Sequence, residues 1–294
     1  MEHLELLHTE NGVPYVHLTD IPKIDIFKTF DCGQCFRFDP VSLYGNKFEY
    51  GGVAYGKYVV FAQNSPYELK IYGTTPDEYE SLWKHYLALD TDYDAINSCI
   101  IDVTKSEHMK NAVLYGDGIR ILRQEPWEAV CSFIVSQNNN IPRIKKIISA
   151  LSEKYGDKIV QNGNTYYGFP SAKSLFDAGE EAIFALKTGF RAKYIIDASY
   201  KVSTGETDLD YLIKEENFDT CLDILCKIKG VGPKVASCAL LFGFGKTEAF
   251  PIDVWMKRAL EKYFPDGIDL KGLGKNAGIA QQYLFYYERY NNEI

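Results

Sequence analysis

The chain has 294 residues, of which 46% are hydrophobic and 24% are charged. This composition is ordinary for a globular protein, and it excludes collagen-like, coiled-coil and wholly disordered chains. The longest apolar stretch, 235–244, is about half as long as a membrane-spanning helix. Because the acidic, polar start does not resemble a secretory signal, we expect a cytoplasmic protein without membrane association. The length fits one large domain or two ordinary ones.

Negative charge is concentrated in the first part of the chain. The whole chain carries 32 basic and 40 acidic side chains, a net charge of −8. Residues 1–117 hold 9 basic and 18 acidic side chains, whereas residues 118–294 hold 23 and 22. Since a polyanion responds to local rather than total charge, the second part is able to present a basic face to nucleic acid.

Short segments rich in β-branched and aromatic residues predict an antiparallel sheet in the first part. Glycine, proline and asparagine separate these segments, and Gly51-Gly52 is one predicted break. The predicted strands are 35–38, 47–50, 53–58, 59–62 and 67–72, and a helix is predicted over 76–87.

From about Asp92 the apolar residues follow the period of helices. The predicted helices are 127–135, 141–155, 180–186, 192–202, 218–228, 234–242, 254–264 and 277–290. Strands followed by helices predict an α+β fold. We divide it into an N-terminal sheet domain, 1–117, and a helical part, 118–294.

Seven cysteines at irregular spacing predict reduced thiols. Cys32 and Cys35 form a single CxxC pair without a second pair or a histidine pair. We therefore expect neither a zinc site nor an iron–sulfur cluster.

The segment 218–236 predicts two helices joined by a glycine turn. Gly230 and Gly232 allow backbone N–H groups to approach a ligand closely. The second helix begins there with free N–H groups, which favour an anion such as phosphate, and Pro233 fits its first turn. This helix-hairpin-helix arrangement binds a nucleic-acid backbone without reading bases. An ordinary helical hairpin is the alternative.

Lys234 is an unusual residue for the first turn of a helix, because the helix dipole there is already positive. In an apolar setting this position disfavours the charged form and yields a free amine. A free amine is able to attack an electrophilic carbon and form a Schiff base. A surface lysine that contacts phosphate is the alternative.

Asp253 lies between an extended proline-containing segment and an amphipathic helix, 254–264. Helix capping alone explains an aspartate there. The functional alternative is a buried carboxylate beside Lys234, which stabilises positive charge on a sugar and handles protons.

The segments IKGVGPKVA (228–236) and PIDV (251–254) resemble the helix-hairpin-helix, Gly/Pro-Asp superfamily of DNA glycosylases. Further segments resemble the 8-oxoguanine DNA glycosylases within it. They are FDCGQCFR (30–37), LRQEPWE (122–128), SQNNNIPR (136–143), GFRAKY (189–194) and AQQYLF (280–285). The resemblance extends from about residue 25 to residue 290.

This resemblance implies a TBP-like antiparallel-sheet domain, helical helix-hairpin-helix domains and an active site in the cleft. It implies a bifunctional glycosylase and abasic-site lyase, with Lys234 as nucleophile and Asp253 as its acidic partner. Lys234 attacks C1′ of the flipped nucleotide, a Schiff base forms, and β-elimination cleaves the strand 3′ to the lesion.

By this resemblance, four residues recognise the flipped base. Cys238 and Phe285 sandwich it, and Gln281 bonds its Watson–Crick edge. The carbonyl of Gly33 accepts the N7–H that 8-oxoguanine has and guanine lacks. The spacing agrees, because Lys234 and Cys238 are four residues apart on one helix face, as are Gln281 and Phe285. Taken alone, each also fits a core, surface or turn position.

The resemblance further implies that Phe190 wedges into the base stack. Asn138, Arg143 and Arg191 address the orphaned cytosine. Without the resemblance, Asn138–Asn140 fit the end of one helix and the cap of the next, the arginines fit surface charges and Phe190 fits a core aromatic.

Gly230, Gly232 and Trp255 are implied contacts to the DNA backbone. Trp255 stands where animal and fungal relatives usually carry histidine, from which we infer a bacterial member. As a DNA-binding protein it is expected to associate with the nucleoid.

No cofactor is expected for catalysis. By the same resemblance, the carbonyls of Cys226, Ile228 and Val231 hold a structural monovalent cation, Na⁺ or K⁺. The implied partner is duplex DNA that contains 8-oxoguanine opposite cytosine, bound by a monomer.

Two other functions stay open. One is the same fold acting on alkylated or mismatched purines. The other is a DNA-binding module without enzymatic activity, which uses the hairpin only to hold phosphate.

Overall fold

A six-stranded antiparallel sheet forms the first part of the molecule. The structure, a computed structural model, describes residues 3–10 and 12–291. The strands of this sheet are β1 (His3–Glu10), β2 (Val13–Thr19), β3 (Phe38–Pro40), β4 (Phe48–Ala54), β5 (Lys57–Gln63) and β6 (Glu68–Tyr72). They lie in the order β1-β2-β6-β5-β4-β3. The predicted sheet is confirmed, although β1 and β2 were not among its predicted strands.

The predicted break at Gly51-Gly52 is wrong, because β4 runs through both glycines. A Cβ atom on Gly52 would lie 2.4 Å from the Arg37 carbonyl oxygen and 2.6 Å from the Phe38 ring. Glycine is needed there because the neighbouring strand approaches closely. The chain turns instead at Tyr55 and Gly56, where both φ angles are positive. The predicted strand over 35–38 is also wrong for most of its length, since β3 begins at Phe38.

Helices dominate the rest of the chain. They are α1 (Ile26–Asp31), α2 (Pro76–Glu78), α3 (Lys84–Tyr86), α4 (Tyr93–Thr104), α5 (Glu107–Gly116), α6 (Pro126–Ser136), α7 (Ile141–Tyr155), α8 (Ala172–Ala178), α9 (Glu180–Ile183), α10 (Ala192–Ser203), α11 (Leu209–Lys214), α12 (Phe218–Cys226), α13 (Pro233–Gly243), α14 (Val254–Tyr263), α15 (Leu270–Leu273) and α16 (Ala277–Tyr290). π-Helical turns occupy Tyr79–Trp83 and Phe184–Thr188, and 3₁₀ turns occupy Gly189–Arg191 and Gly274–Asn276. The α+β fold is therefore confirmed.

One hairpin interrupts the helical part. Its strands, β7 (Lys158–Gln161) and β8 (Asn164–Tyr167), pair antiparallel and were not predicted. The predicted domain boundary at residue 117 stays a prediction. Residues of α4 and α5, which precede it, belong to the same hydrophobic cluster as α6 and α13.

The loop between α1 and β3 connects the sheet to the helices and positions the site. Gln34, fully buried in this loop, donates to the carbonyls of Thr29 and Arg120, both at 2.8 Å. Its Oε1 accepts from the Leu122 N–H at 2.8 Å. These bonds fix the loop against the segment that leads into α6. Over the described ranges, the helices are all too short or too polar to span a bilayer.

Candidate active site

A pocket between the α1–β3 loop, α13 and α16 brings six predicted residues together. Its cavity volume is about 60 Å³. Its predicted members are Gly33, Lys234, Cys238, Asp253, Gln281 and Phe285, and Cys32, Phe133, Phe242, Pro251 and Gln282 complete its lining. The pocket therefore combines one amine, one carboxylate and two amides with aromatic walls. Such a lining offers both aromatic faces and polar groups to a ligand.

Lys234 is the second residue of α13 and is exposed. Cys238 lies one turn further along the helix and is 5% exposed. Burial raises the pKa of the Cys238 thiol, and the nearby Lys234 ammonium opposes this increase. The amine and the thiol therefore face the same pocket, as their spacing predicts.

Asp253 caps α14, since its Oδ1 accepts the Met256 N–H at 2.8 Å. The capping interpretation is therefore confirmed. The residue is half-buried rather than fully buried, and it also lines the pocket with Lys234. One carboxylate thus caps the N-terminus of α14 and contributes negative charge to the pocket.

The two glycines of the hairpin have different surroundings. Gly230 has a φ of +77°, and a Cβ atom there would lie 2.5 Å from the Tyr194 ring. A Cβ atom on Gly232 would have no other atom within 4 Å. This residue precedes α13, which has no side-chain cap. Gly230 is therefore needed for packing, whereas Gly232 leaves the first N–H groups of α13 accessible.

The loop between α6 and α7 exposes Asn138 in a left-handed conformation, with a φ of +45°. The next two residues, Asn139 and Asn140, bond to the end of α6 and the start of α7. Asn139 donates to the Val135 carbonyl at 3.1 Å, and Asn140 accepts the Arg143 N–H at 3.0 Å. The capping interpretation thus holds for Asn139 and Asn140 but not for Asn138.

Arg191 is 2% exposed and bonds to this loop. Its guanidinium donates to the carbonyls of Gln137 and Asn138. The group also lies 4.5 Å from the ring centre of Phe190, which is 47% exposed. Arg191 is therefore not a surface charge, and Phe190 is not a core aromatic.

Arg143 and Trp255 lie outside the pocket. Arg143 is exposed and donates to the Lys187 carbonyl at 3.3 Å, so its surface-charge interpretation holds in this state. Trp255 is 42% exposed on the first turn of α14, and the Arg258 guanidinium lies 5.7 Å from its ring centre.

Two buried glutamines near the pocket were missed by the sequence analysis. Gln282 is 2% exposed, and its Nε2 donates to the Cys32 carbonyl at 3.1 Å. Gln34 holds the α1–β3 loop through its bonds to the backbone of Arg120 and Leu122. A glutamine inside an apolar segment is the only sequence signal for either residue, and it does not identify the partner.

Family models match most of the chain. A model of the 8-oxoguanine DNA glycosylase N-terminal domain matches residues 18–130. A model of the HhH-GPD superfamily of base excision DNA repair proteins matches residues 131–268.

Curated relatives match parts of the chain. An N-glycosylase/DNA lyase from Saccharomyces cerevisiae is 36% identical over 51% of this chain and 43% of its own length. A probable N-glycosylase/DNA lyase from Methanothermobacter thermautotrophicus is 31% identical over 58% of this chain and 64% of its own length. The chain thus spans less than two thirds of either relative.

Solved structures match along nearly the whole chain. MBOgg1 in complex with a low-affinity DNA ligand is 37% identical, with a TM-score of 0.89 and 99% of both chains covered. The 8-oxoguanine glycosylase/lyase of Clostridium acetobutylicum, in complex with duplex DNA containing cytosine opposite 8-oxoguanine, is 36% identical. Its TM-score is 0.86, with 98% of this chain and 99% of that chain covered. With both family models, these similarities show that the chain belongs to the 8-oxoguanine DNA glycosylase/lyase family of the helix-hairpin-helix superfamily.

Proposed function

We propose that the protein excises 8-oxoguanine opposite cytosine from duplex DNA and then cleaves the strand 3′ to the abasic site. A pocket that contains a lysine, a carboxylate and an unpartnered amide carries this proposal. Gln281 is 5% exposed, and within the described residues no polar atom bonds to its Oε1. Because an unpartnered buried polar atom costs about 1–3 kcal/mol, this amide favours a ligand with a complementary polar edge.

The flipped base lies between the Cys238 thiol and the Phe285 ring. Gln281 bonds its Watson–Crick edge, and the Gly33 carbonyl accepts its N7–H. Guanine lacks this N7–H and would leave the carbonyl without a donor, which disfavours guanine in the pocket.

Lys234 performs the covalent chemistry. Its neutral amine attacks C1′, and the C1′–N9 bond breaks, so that the base leaves with the electron pair and takes up a proton. Opening of the C1′–O4′ bond then gives a Schiff base between Lys234 and C1′. This imine acidifies C2′, and loss of a C2′ proton expels the 3′ phosphate by breaking the C3′–O bond.

Asp253 stabilises the positive charge that develops on the sugar as the base departs. The bond from the Met256 N–H holds its carboxylate in place, so that little reorganisation is needed during the reaction.

The DNA duplex contacts the surface around the pocket mouth. Gly230, Gly232 and Trp255 contact its backbone, and Phe190 wedges into the stack. Asn138, Arg143 and Arg191 address the orphaned cytosine. Arg191 already donates to the carbonyls of Gln137, Asn138 and Thr188, and one N–H of its Nη1 is left for a contact to cytosine.

The carbonyls of Cys226, Ile228 and Val231 would hold a structural monovalent cation, Na⁺ or K⁺. The Ile228 carbonyl accepts the Val231 N–H at 3.0 Å, which leaves its second lone pair for a cation. Neutral oxygen donors suit a singly charged ion, which would stiffen the hairpin. That the protein acts as a monomer near the nucleoid of a bacterium stays a prediction.

Single-turnover assays on four duplexes test this function. They carry 8-oxoguanine opposite cytosine, 8-oxoguanine opposite adenine, guanine opposite cytosine, or 3-methyladenine opposite thymine. We expect base release to be fastest from the first duplex, followed by strand cleavage at the same site. Preferred release of the methylated base would instead assign the pocket to alkylated purines. Binding without any base release would indicate a DNA-binding module without enzymatic activity.

A further inference from the structure

The carbonyls of Cys32, Gly33 and Gln34, which follow one another in the α1–β3 loop, differ in their hydrogen bonding. The Cys32 carbonyl accepts from Nε2 of Gln282 at 3.1 Å, and the Gln34 carbonyl accepts from Nε2 of Gln124 at 2.7 Å. Between them, the Gly33 carbonyl receives no hydrogen bond from the part of the chain that the structure describes. The loop thus holds two carbonyls and leaves the middle one available to a ligand.

Because the peptide bond is planar, the hydrogen bonds to the two outer carbonyls restrain the orientation of the Gly33 carbonyl between them. Each peptide unit rotates as a plane about its two Cα atoms. Gln282 fixes the Cys32–Gly33 plane, and Gln124 fixes the Gln34–Cys35 plane. The plane between them, which bears the Gly33 carbonyl, is therefore restrained at both ends. Gly33 has a φ of +81°, which most other residues adopt only with strain.

The two glutamines reach the loop from different elements. Gln282 lies on α16 and is 2% exposed, next to Gln281. Gln124 precedes α6, is 7% exposed, and its backbone N–H donates to the Phe242 carbonyl at 2.9 Å. Gln282 lines the pocket, whereas Gln124 does not. An effect of Gln124 on base recognition must therefore act through the loop.

We propose that Gln282 and Gln124 are positioning residues that aim the Gly33 carbonyl at N7–H of the flipped base. The inference rests on the proposed function, because it assigns these glutamines to recognition of 8-oxoguanine. Their amides do not touch the reacting atoms. They set the selectivity for the oxidised base rather than the chemistry at C1′.

Two variants and a matched control test this inference. Gln282→Met and Gln124→Met each remove one donor to the loop while keeping a side chain of similar length. Gln63→Met is the control, because Gln63 is 4% exposed and bonds the backbone of Ile24 and Ile26 away from the pocket. Each protein is assayed for single-turnover release of 8-oxoguanine and for strand cleavage of a preformed abasic site.

We expect both loop variants to slow release of 8-oxoguanine by about 10- to 100-fold, since a misplacement of about 1 Å costs up to about 100-fold. Cleavage of the abasic site needs no base recognition and should be nearly unchanged in Gln124→Met, which lies outside the pocket lining, as should both activities of Gln63→Met. Equal losses in both activities, or unchanged base release in a folded loop variant, would overturn the inference. If Gln282→Met does not fold, Gln124→Met decides alone. Wild-type protein that leaves 8-oxoguanine uncut would overturn the proposed function as well.

Discussion

Arg37 and Glu128 meet in the interior, where Nη1 of Arg37 lies 4.0 Å from Oε2 of Glu128. Their side chains are only 8% and 9% exposed. Arg37 also donates to the Ser152 hydroxyl at 2.6 Å and to the Tyr167 carbonyl at 2.5 Å. One guanidinium therefore connects the end of the α1–β3 loop to α6, α7 and β8.

This burial predicts a pH-dependent stability. Burial raises the pKa of Glu128 from 4.5 to about 7, and Arg37 opposes the increase. Between these values the unfolded chain loses the proton that the folded protein keeps, so the free energy of unfolding falls as the pH rises. The stabilisation is fully present below about pH 4.5 and is lost above about pH 7.

Glu128→Gln should remove this dependence. Relative to wild type, its free energy of unfolding should increase from pH 4.5 to pH 7.5 by an amount on the order of 3 kcal/mol. Urea denaturation at a series of pH values measures the difference. A difference that stays constant over this range would contradict the account of Glu128.

Substitutions at Gly230 and Gly232, in the turn between α12 and α13, should differ in their effect on stability. Gly230→Ala places a methyl group against the Tyr194 ring at a positive φ, so we expect a loss of about 1–3 kcal/mol in the free energy of unfolding. Gly232→Ala meets open space in an extended conformation and should change stability little. Chemical denaturation of both variants is the measurement, and equal losses would contradict this distinction.

Gln281→Met should separate stability from activity. The variant removes a buried amide oxygen that has no partner within the described residues, so the free energy of unfolding should stay the same or rise by up to about 1–3 kcal/mol. Base release should fall, because the Watson–Crick edge loses its partner. Thermal denaturation beside a single-turnover assay reports both effects, and a clear loss of stability with normal base release would refute the assigned role.

Two substitutions of Asp253 distinguish its role as the cap of α14 from the role of its negative charge in the reaction. Asparagine caps helices about as well as aspartate, so Asp253→Asn should keep the stability of α14 while it slows base release by about 100-fold or more. Asp253→Ala should lose the same activity and about 1 kcal/mol of stability. If Asp253→Asn keeps full activity in single-turnover assays, the residue serves only as a cap.

Much of the fold follows from local patterns. Helices α7 and α16 have the predicted bounds, because their apolar period is regular and Asn140 supplies a cap for α7. The sheet was harder to predict, since Gly51-Gly52 resembles a turn until the Phe38 ring beside it is known. Local sequence does not report such a close approach between strands.

The sequence indicates candidate site residues but not the residues that support them. Lys234 is unusual for the first turn of a helix, whereas Asp253 and Gln281 were singled out by the family resemblance, because each also fits an ordinary position. Gln282 contacts a carbonyl 250 residues away, so its role depends on tertiary packing. The same reason explains why the sequence analysis left open whether Arg191 is a surface charge, although the structure buries it against Gln137.

The most direct test of the account is borohydride trapping on a labelled duplex that carries 8-oxoguanine opposite cytosine. Abasic and undamaged duplexes, and the Lys234→Gln variant, serve as controls. Wild-type protein should form a covalent adduct with the 8-oxoguanine duplex, with the linkage on Lys234, and the variant should form none. An equal adduct with Lys234→Gln, or none with either damaged duplex despite binding, would contradict Lys234 as the nucleophile.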